Sequence, residues 1–384
     1  MLCASKYLLS LLVLVSCAAP STAQSSYTVE TAPEWTNLFD TTSGWTGADG
    51  IFSFPLDGND SPGGLQRAGS LFVFSDTFIG DVSPTGQRSN TSMVNNTMGF
   101  LPRNGLSQGV DFYWDATGPQ PASIFTPNTP LSQPDDWYWF SDGVVIGDKF
   151  HLLANRMEHN NGPPGWNFAR AGMSLFTMNI NGPYTRAAAV EVDTPLSIPE
   201  SPSRGGGFFG AGIMANTVEA GAPSPDGYIY VYGSQEDQVK KLMVARVLPQ
   251  NFENFNTWRF WDGSGWSPDV NASATLTGRI SNELSVTPMP DGRFACIFSL
   301  DTLSGKIGMK IAPTPWGPFG NVEVIYDIPT PPIADAYTYN AKAHPHLSEP
   351  GELLISYNAN TFEFWDHFTY ADIYRPRFIK LTWQ

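Results

Sequence analysis

The 384-residue chain contains only three cysteines. Cys3 and Cys17 lie in or beside an apolar N-terminal stretch. That leaves Cys296 alone, inside RFACIFSL (293–300). No intramolecular disulfide is possible once the N-terminal stretch is removed, and Cys296 reads as a buried, inert thiol. Basic residues are also few: 21 Lys+Arg face 36 Asp+Glu, for a net charge of −15. No basic run exists to neutralise phosphates, so nucleic acid and anionic membrane are excluded as partners. Convincing amphipathic helices are missing too. VKKLMVARVL (239–248) has a helical count of apolar residues, yet it is β-rich and lies between turn signals, so it reads as a strand. No GxSxG motif or Cys–His pair supports acyl chemistry. GGGFFGAG (205–212) lacks the Lys-Ser/Thr pair and the following helix of a phosphate loop.

What is plentiful is turn chemistry and apolar bulk. Gly (36) and Pro (32) punctuate the whole chain, and hydrophobic residues make up 41% of it. That pattern fits many short strands joined by turns. At the N-terminus, Lys6, the apolar run LLSLLVLVSCAA (8–19) and STA ending at Ala23 form a signal peptide (1–23), too short to span a membrane. LVSC (14–17) also fits a lipobox, which would place a lipid on Cys17. Both readings put the mature chain, 24–384, outside the cytoplasm as a single domain and monomer, with no membrane contact unless Cys17 is lipidated. Asn90, Asn95 and Asn271 begin sequons, relevant only in a eukaryotic host.

Five segments read as hairpins: 56–76, 146–155, 224–234, 289–299 and 348–358. Four carry a D-G or G-D pair and the last carries P-G. Before each hairpin comes a similar stretch: TGADGIFSF, WFSDGVVI, FFGAGIMA, SNELSVTP and AKAHPHLS. Anchored on Asp49, Asp142, Gly212, Glu283 and His344, the spacings are 93, 70, 71 and 61 residues. An irregular five-fold repeat without intervening helices predicts an all-β, five-bladed β-propeller. A two-sheet sandwich is the alternative, but it does not explain the recurring polar position. IYRPRFIKLTW (373–383) is expected to close the ring as an outer or edge strand.

In a propeller the first strand of each blade lines the channel, so Asp49, Asp142 and Glu283 are expected to converge at one mouth. Crowded carboxylates split their pKa values, and glycoside hydrolysis needs one protonated and one ionised carboxyl. Asp76 ends the apolar run LFVFSD (71–76) and is placed near the channel. Trp45, Trp137, Tyr138, Trp139, Trp166, Phe208 and Phe209 are candidate sugar-stacking faces. Asn95, Asn96, Asn155, Asn216, Asn340 and Asn358 are candidate amide contacts, and Arg156, Arg204 and Lys342 candidate cations. His344-Pro-His346 could hold a metal, but no further ligand has suitable spacing. His344 is instead expected to bond substrate or a carboxylate. No metal or cofactor is expected, and a structural calcium is not indicated.

GADGIFSF, LFVFSDTFIGD, NTSMVNNTMGF, YNAKAHPHLSEPGELLISYN and IYRPRFIKL resemble motifs of a family of secreted five-bladed propellers long of unknown function. That family includes microbial endo-D-arabinanases and is similar in fold to arabinanase-type propeller glycosidases. The likeness covers about residues 40–384, with SDT standing where GDT is expected. It implies catalytic carboxylates at Asp49 and Asp76 and a groove across the propeller face. Asp142 and Glu283 rest on the repeat alone, because the third blade has Gly212 where an acid would fall.

The sequence therefore predicts a secreted glycoside hydrolase acting on a polysaccharide or oligosaccharide, such as a furanose-rich D-arabinan. Asp49 is the expected base or nucleophile, Asp76 orients or tunes it, Glu283 is the general acid, and Asp142 tunes pKa or holds a ring hydroxyl. Asn95, Asn96, Trp139, Asn216, Lys342 and His344 are the expected substrate contacts. A non-catalytic glycan-binding propeller is the alternative. A polysaccharide lyase ranks third, since it needs cations that the chain barely has.

Overall fold

The computed structural model describes residues 26–163 and 167–384. The signal segment 1–23, Cys3, Cys17 and Trp166 lie outside the described residues.

The fold is a β-propeller, built almost entirely of antiparallel strands. Four sheets are four-stranded meanders or nearly so, and their innermost strands come first in chain order. The first sheet begins at Phe52–Pro55, the second at Trp137–Ile146, the fourth at Leu284–Pro288 and the fifth at Ala336–Ala343. The third sheet is larger, and its inner strand Gly207–Asn216 is flanked by the short strand Ser197–Ile198. All five expected hairpins form. Lys241–Val247 is a strand, as the turn signals around it predict.

Period-two alternation decides which core each side chain joins. In Ser70–Phe74, Leu71 and Val73 pack with Phe140, Phe150 and Leu152 of the second sheet. Phe72 and Phe74 point the other way, onto Leu354 and Phe378 of the fifth. The same division recurs at Ala295 and Ile297, which face the fifth sheet, and Cys296 and Phe298, which face the third. Each sheet is thus apolar on both faces, and the sheets close into a ring. Fully burying one such Phe contributes about 1.5–3 kcal/mol. Cys296 is completely buried and its thiol is pushed up to about 12 by that burial.

Closure uses both ends of the chain. Pro376–Trp383 is the third strand of the fifth sheet rather than its edge. The edge is the N-terminal strand Tyr27–Thr31, paired from Tyr27↔Trp383 to Thr31↔Ile379.

The first sheet has a feature the others lack. Its first three strands continue past a break into a second, three-stranded sheet: Ser43–Ala48, Thr77–Val82 and Arg88–Val94. Asp49, Asp76 and the pair Asn95–Asn96 all fall in that break, one on each strand.

In the second, third and fifth sheets the repeated position is a β-bulge. Ser141 and Asp142 together face the single residue Leu153. Asn340 and Ala341 likewise face Tyr357, and Gly210 and Ala211 are inserted between Phe209↔Gly233 and Gly212↔Tyr232. An extra residue kinks the strand and re-aims a side chain. The register therefore matches Asp142 with Ala211 and Ala341, not with Gly212 and His344. A Cβ on Gly212 would sit 2.7 Å from the Leu284 carbonyl of the next inner strand, so no acid fits there.

Candidate active site

Asp49 and Asp76 are joined through the main chain. Asp49 N–H donates to the Asp76 carbonyl (3.2 Å), and Ser75 N–H donates to the Asp49 carbonyl (2.9 Å). Both side chains are half-buried at the break between the two sheets, close enough to feel each other's charge. Burial raises both, and the two charges repel. Asp49 is pushed up to about 8, first by burial, then by Asp76, with Glu283 adding to the rise. Asp76 is pushed up to about 6 by burial, opposed by two donors. Those donors are Trp139 Nε1 (2.7 Å) and Asn95 Nδ2 (3.0 Å), both on Asp76 Oδ1.

Asp49 has its own donors. Tyr339 Oη donates to Asp49 Oδ2 (2.7 Å), and Tyr374 also bonds the carboxyl. Behind Tyr339 the sense of the network is determined. Thr361 N–H donates to Asn360 Oδ1 (2.7 Å), so the Asn360 amide points its Nδ2 at the Tyr339 oxygen (3.1 Å). Tyr339 must then spend its own hydrogen on Asp49. Gly47 makes room for Tyr374: a Cβ there would lie 2.5 Å from the Tyr374 carbonyl.

Glu283 forms an ion pair with Lys342, whose side chain is almost fully buried. Burial raises the Glu283 carboxyl, and the Lys342 charge opposes that rise. Lys342 also lies 4.3 Å above the Phe52 ring. Deeper in the channel, Asp142 is pushed up to about 7, chiefly by burial. It accepts from Ile213 N–H (2.6 Å) and Gly143 N–H (2.8 Å), so it also ties two inner strands together.

The structure thus brings together Asp49, Asp76, Asn95 and Trp139 by direct bonds. Glu283, Lys342 and Asp142 follow as a charge-linked group. Three expected contacts fall elsewhere. Asn96 is fully buried, with its amide spent on Phe125 and Tyr138 backbone atoms. Asn216 is buried at the hairpin end of its strand, with Nδ2 on the Ser224 carbonyl (3.3 Å). His344 is held between Ser53 Oγ and Ser356 Oγ, both at 2.7 Å. Burial keeps that imidazole neutral, well below its usual range. It stitches the fifth sheet to the first and has no nitrogen left for substrate.

Several other candidates are structural. Trp45 stacks on Phe112 in the core, and Tyr138 bonds Ser174 and Glu191. Phe208 lies under Arg170, and Phe209 is buried. Arg156 pairs with Asp136, and Arg204 donates to the Asn271 and Ser273 carbonyls. Asn358 donates to the Ala48 carbonyl, and Asn155 links Ser141 and Arg170. Among the described residues no cluster of three His, Cys, Asp or Glu side chains could hold a metal.

Two aromatic walls flank the acids. Trp139 sits against Phe168 and Trp137 on one side. Tyr339, Tyr337 and Phe362 follow one another on the other, at 5.5 and 4.5 Å between ring centres. Sequence reading missed this second wall and Tyr374. Alternation in YTYN (337–340) was the signal available: it puts Tyr337 and Tyr339 on one face.

The chain belongs to the family described as a domain of unknown function, DUF5005, which it matches over residues 33–383. No curated protein matches it. A candidate hydrolase from Bacteroides ovatus ATCC 8483 superposes with a TM-score of 0.70 at 20% identity, covering 94% of this chain and 93% of that one. That likeness is one of fold. An α-L-arabinofuranosidase from Podospora anserina in complex with cellotriose gives 0.47 at 10% identity, covering 88% and 92%. A GH43_1 enzyme from Xanthomonas citri complexed with xylotriose gives 0.47 at 13% identity, covering 89% and 88%.

Proposed function

We propose that this protein is a secreted glycoside hydrolase, a five-bladed propeller with one blade for each of its five main sheets. The observation that carries the reading is the cross-strand placement of Asp49 and Asp76. Two half-buried carboxyls that raise each other's proton affinity, each with its own neutral donors, fit the acid–carboxylate pair that glycosidic cleavage requires.

The environments of the carboxyls support a different division of roles from the sequence expectation of Asp49 as base or nucleophile, Asp76 as its partner and Glu283 as acid. Asp49, the more strongly raised, carries the proton and passes it to the departing glycosidic oxygen. Asp76, held by Trp139 and Asn95, is the ionised partner. Retaining pairs stand about 5–5.5 Å apart and inverting pairs about 6.5–9.5 Å apart, so the separation of the two carboxyls decides whether Asp76 attacks the anomeric carbon itself or activates a water that does. Glu283, ion-paired with Lys342, is a charge neighbour rather than the acid.

The substrate class follows from the resemblance in GADGIFSF and LFVFSDTFIGD: a furanose-rich polysaccharide such as D-arabinan. The test is chromatography of products after incubation with a polysaccharide panel, beside Asp49→Asn and Asp76→Asn. Hydrolysis by the wild type and its loss in both variants is the expected result. Full activity in either variant, or no hydrolysis of any glycan, overturns the reading.

A further inference from the structure

The connection between the last two strands, 362–375, reads FEFWDHFTYADIYR and carries five aromatic residues within positions 362–370. Four of them are turned outward: Trp365 is 69% exposed, Phe362 55%, Tyr370 46% and Phe364 45%. A contiguous exposed apolar patch marks an interaction surface.

The patch is held from below. Buried Arg88 donates to the His367 carbonyl (2.6 Å) and to the carbonyls of Ala371 (3.0 Å) and Ile373 (3.3 Å). His367 bonds Asn360 Oδ1 (2.9 Å) and the Phe364 carbonyl (2.8 Å), and its ring packs on Phe78. The outward rings therefore stand on an ordered base. Little backbone freedom of the loop is left to lose on binding, which favours affinity.

The patch is also continuous with the acids. From Asp49 the path runs through Tyr339 and Tyr337 to Phe362. Phe364, Trp365 and Phe368 form a second group, with ring centres 5.5–5.9 Å apart. Positions 361–374 contain Glu363, Asp366 and Asp372 but no Lys or Arg. Such a surface repels polyanions and offers aromatic faces to the C–H faces of uncharged sugars.

We propose that this loop is an extended binding platform for a neutral polysaccharide chain whose scissile bond lies at Asp49 and Asp76. The proposal rests on the hydrolase reading and adds to it. The platform engages sugar units several residues away from the cleaved bond, so polymers bind more tightly than short fragments.

The test is electrophoresis in native gels carrying D-arabinan-containing arabinogalactan, linear arabinan, xylan or polygalacturonate. Phe364→Ala/Trp365→Ala and the conservative Trp365→Phe are made in the Asp49→Asn chain, which cannot digest the polymer. Melting curves check that each variant is folded. The expected result is retardation by a neutral polymer, weakened about tenfold in Kd by the alanine pair and largely kept by Trp365→Phe, a difference of about 1.4 kcal/mol. Retardation equal in the alanine variant and its parent overturns the platform, as does retardation by polygalacturonate alone. Hydrolysis by the wild type is scored separately on the same polymers. Retardation that the alanine pair abolishes, without hydrolysis by the wild type, leaves the platform standing and removes the catalytic reading. Hydrolysis with unchanged retardation does the reverse.

Discussion

Asp49 and Asp76 lie 27 positions apart in sequence, yet the Asp49 N–H donates to the Asp76 carbonyl at 3.2 Å. Their carboxyls therefore titrate in each other's field. Asp49 is pushed up to about 8 and Asp76 to about 6. Activity needs the first protonated and the second ionised. The pH profile of kcat/KM is expected to be a bell, falling below about pH 6 as Asp76 gains a proton and above about pH 8 as Asp49 loses one. Asp49→Asn and Asp76→Asn should each lower kcat about 10²–10⁴-fold. A profile flat from pH 5 to 9 removes the pair from the chemistry.

The raised Asp49 carboxyl also has a consequence for stability. Asp49 is held far above its ordinary value of 3.8, so folding favours its neutral form. The stabilisation is complete below about pH 4 and is lost as pH rises through about 8. Asp49→Asn is neutral at every pH. It should match the wild type in Tm near pH 4 and exceed it at pH 9. A tenfold change in proton affinity on folding is worth about 1.4 kcal/mol, so a gain of several degrees is expected. Equal Tm values at pH 9 contradict the burial argument.

The hairpins were legible because D-G and P-G pairs mark them locally, and the sheets because runs such as LFVF leave no polar face. Asp49 and Asp76 were legible as acids at the ends of apolar runs. The bulges were not. An inserted residue leaves no mark in composition, and counting through it set Gly212 and His344 against Asp142. Nor could composition separate Asn95 from Asn96. Adjacent residues on a strand point to opposite faces, and only the ladder shows which one meets Asp76. The Tyr339 contact spans 290 residues and exists only because the ring closes.

Tyr339→Phe removes the donor to Asp49 Oδ2 and leaves the Asn360 amide without its acceptor. The lost bond favoured the charged carboxylate, so Asp49 should rise further and the alkaline limb of the profile should move up. A fall in kcat of about tenfold is expected from losing one charge-assisted bond. A limb that stays in place, or moves down, means that Tyr339 does not control Asp49.

Lys342→Met leaves Glu283 without its cation. Breaking a buried pair costs about 3–5 kcal/mol. The lower end applies here, because Glu283 keeps 19% side-chain exposure. With the lysine gone, Glu283 must stay protonated to remain buried. The loss should be full at pH 8 and small near pH 4, and Lys342→Met/Glu283→Gln should recover part of it. Denaturant melts at the two pH values decide the point. A penalty independent of pH assigns the effect to packing against Phe52 instead.

His344 separates a structural role from a substrate contact most cleanly. Both its nitrogens are occupied, by Ser53 and Ser356, and its ring lies 5.8 Å from that of Phe378. His344→Ala leaves the buried Ser356 hydroxyl and the half-buried Ser53 hydroxyl without this partner and opens a cavity between the first and fifth sheets. A loss of about 2–4 kcal/mol is expected from those two effects together. The folded imidazole is held below its ordinary 6.5. Its contribution is therefore present above that value and is lost as pH falls, so the gap in Tm between wild type and variant should be widest near pH 8 and close toward pH 4. KM for the polysaccharide should stay within about twofold while the fold persists. A tenfold rise in KM with an unchanged Tm would return His344 to the substrate groove, and the closure of the ring would then need another explanation.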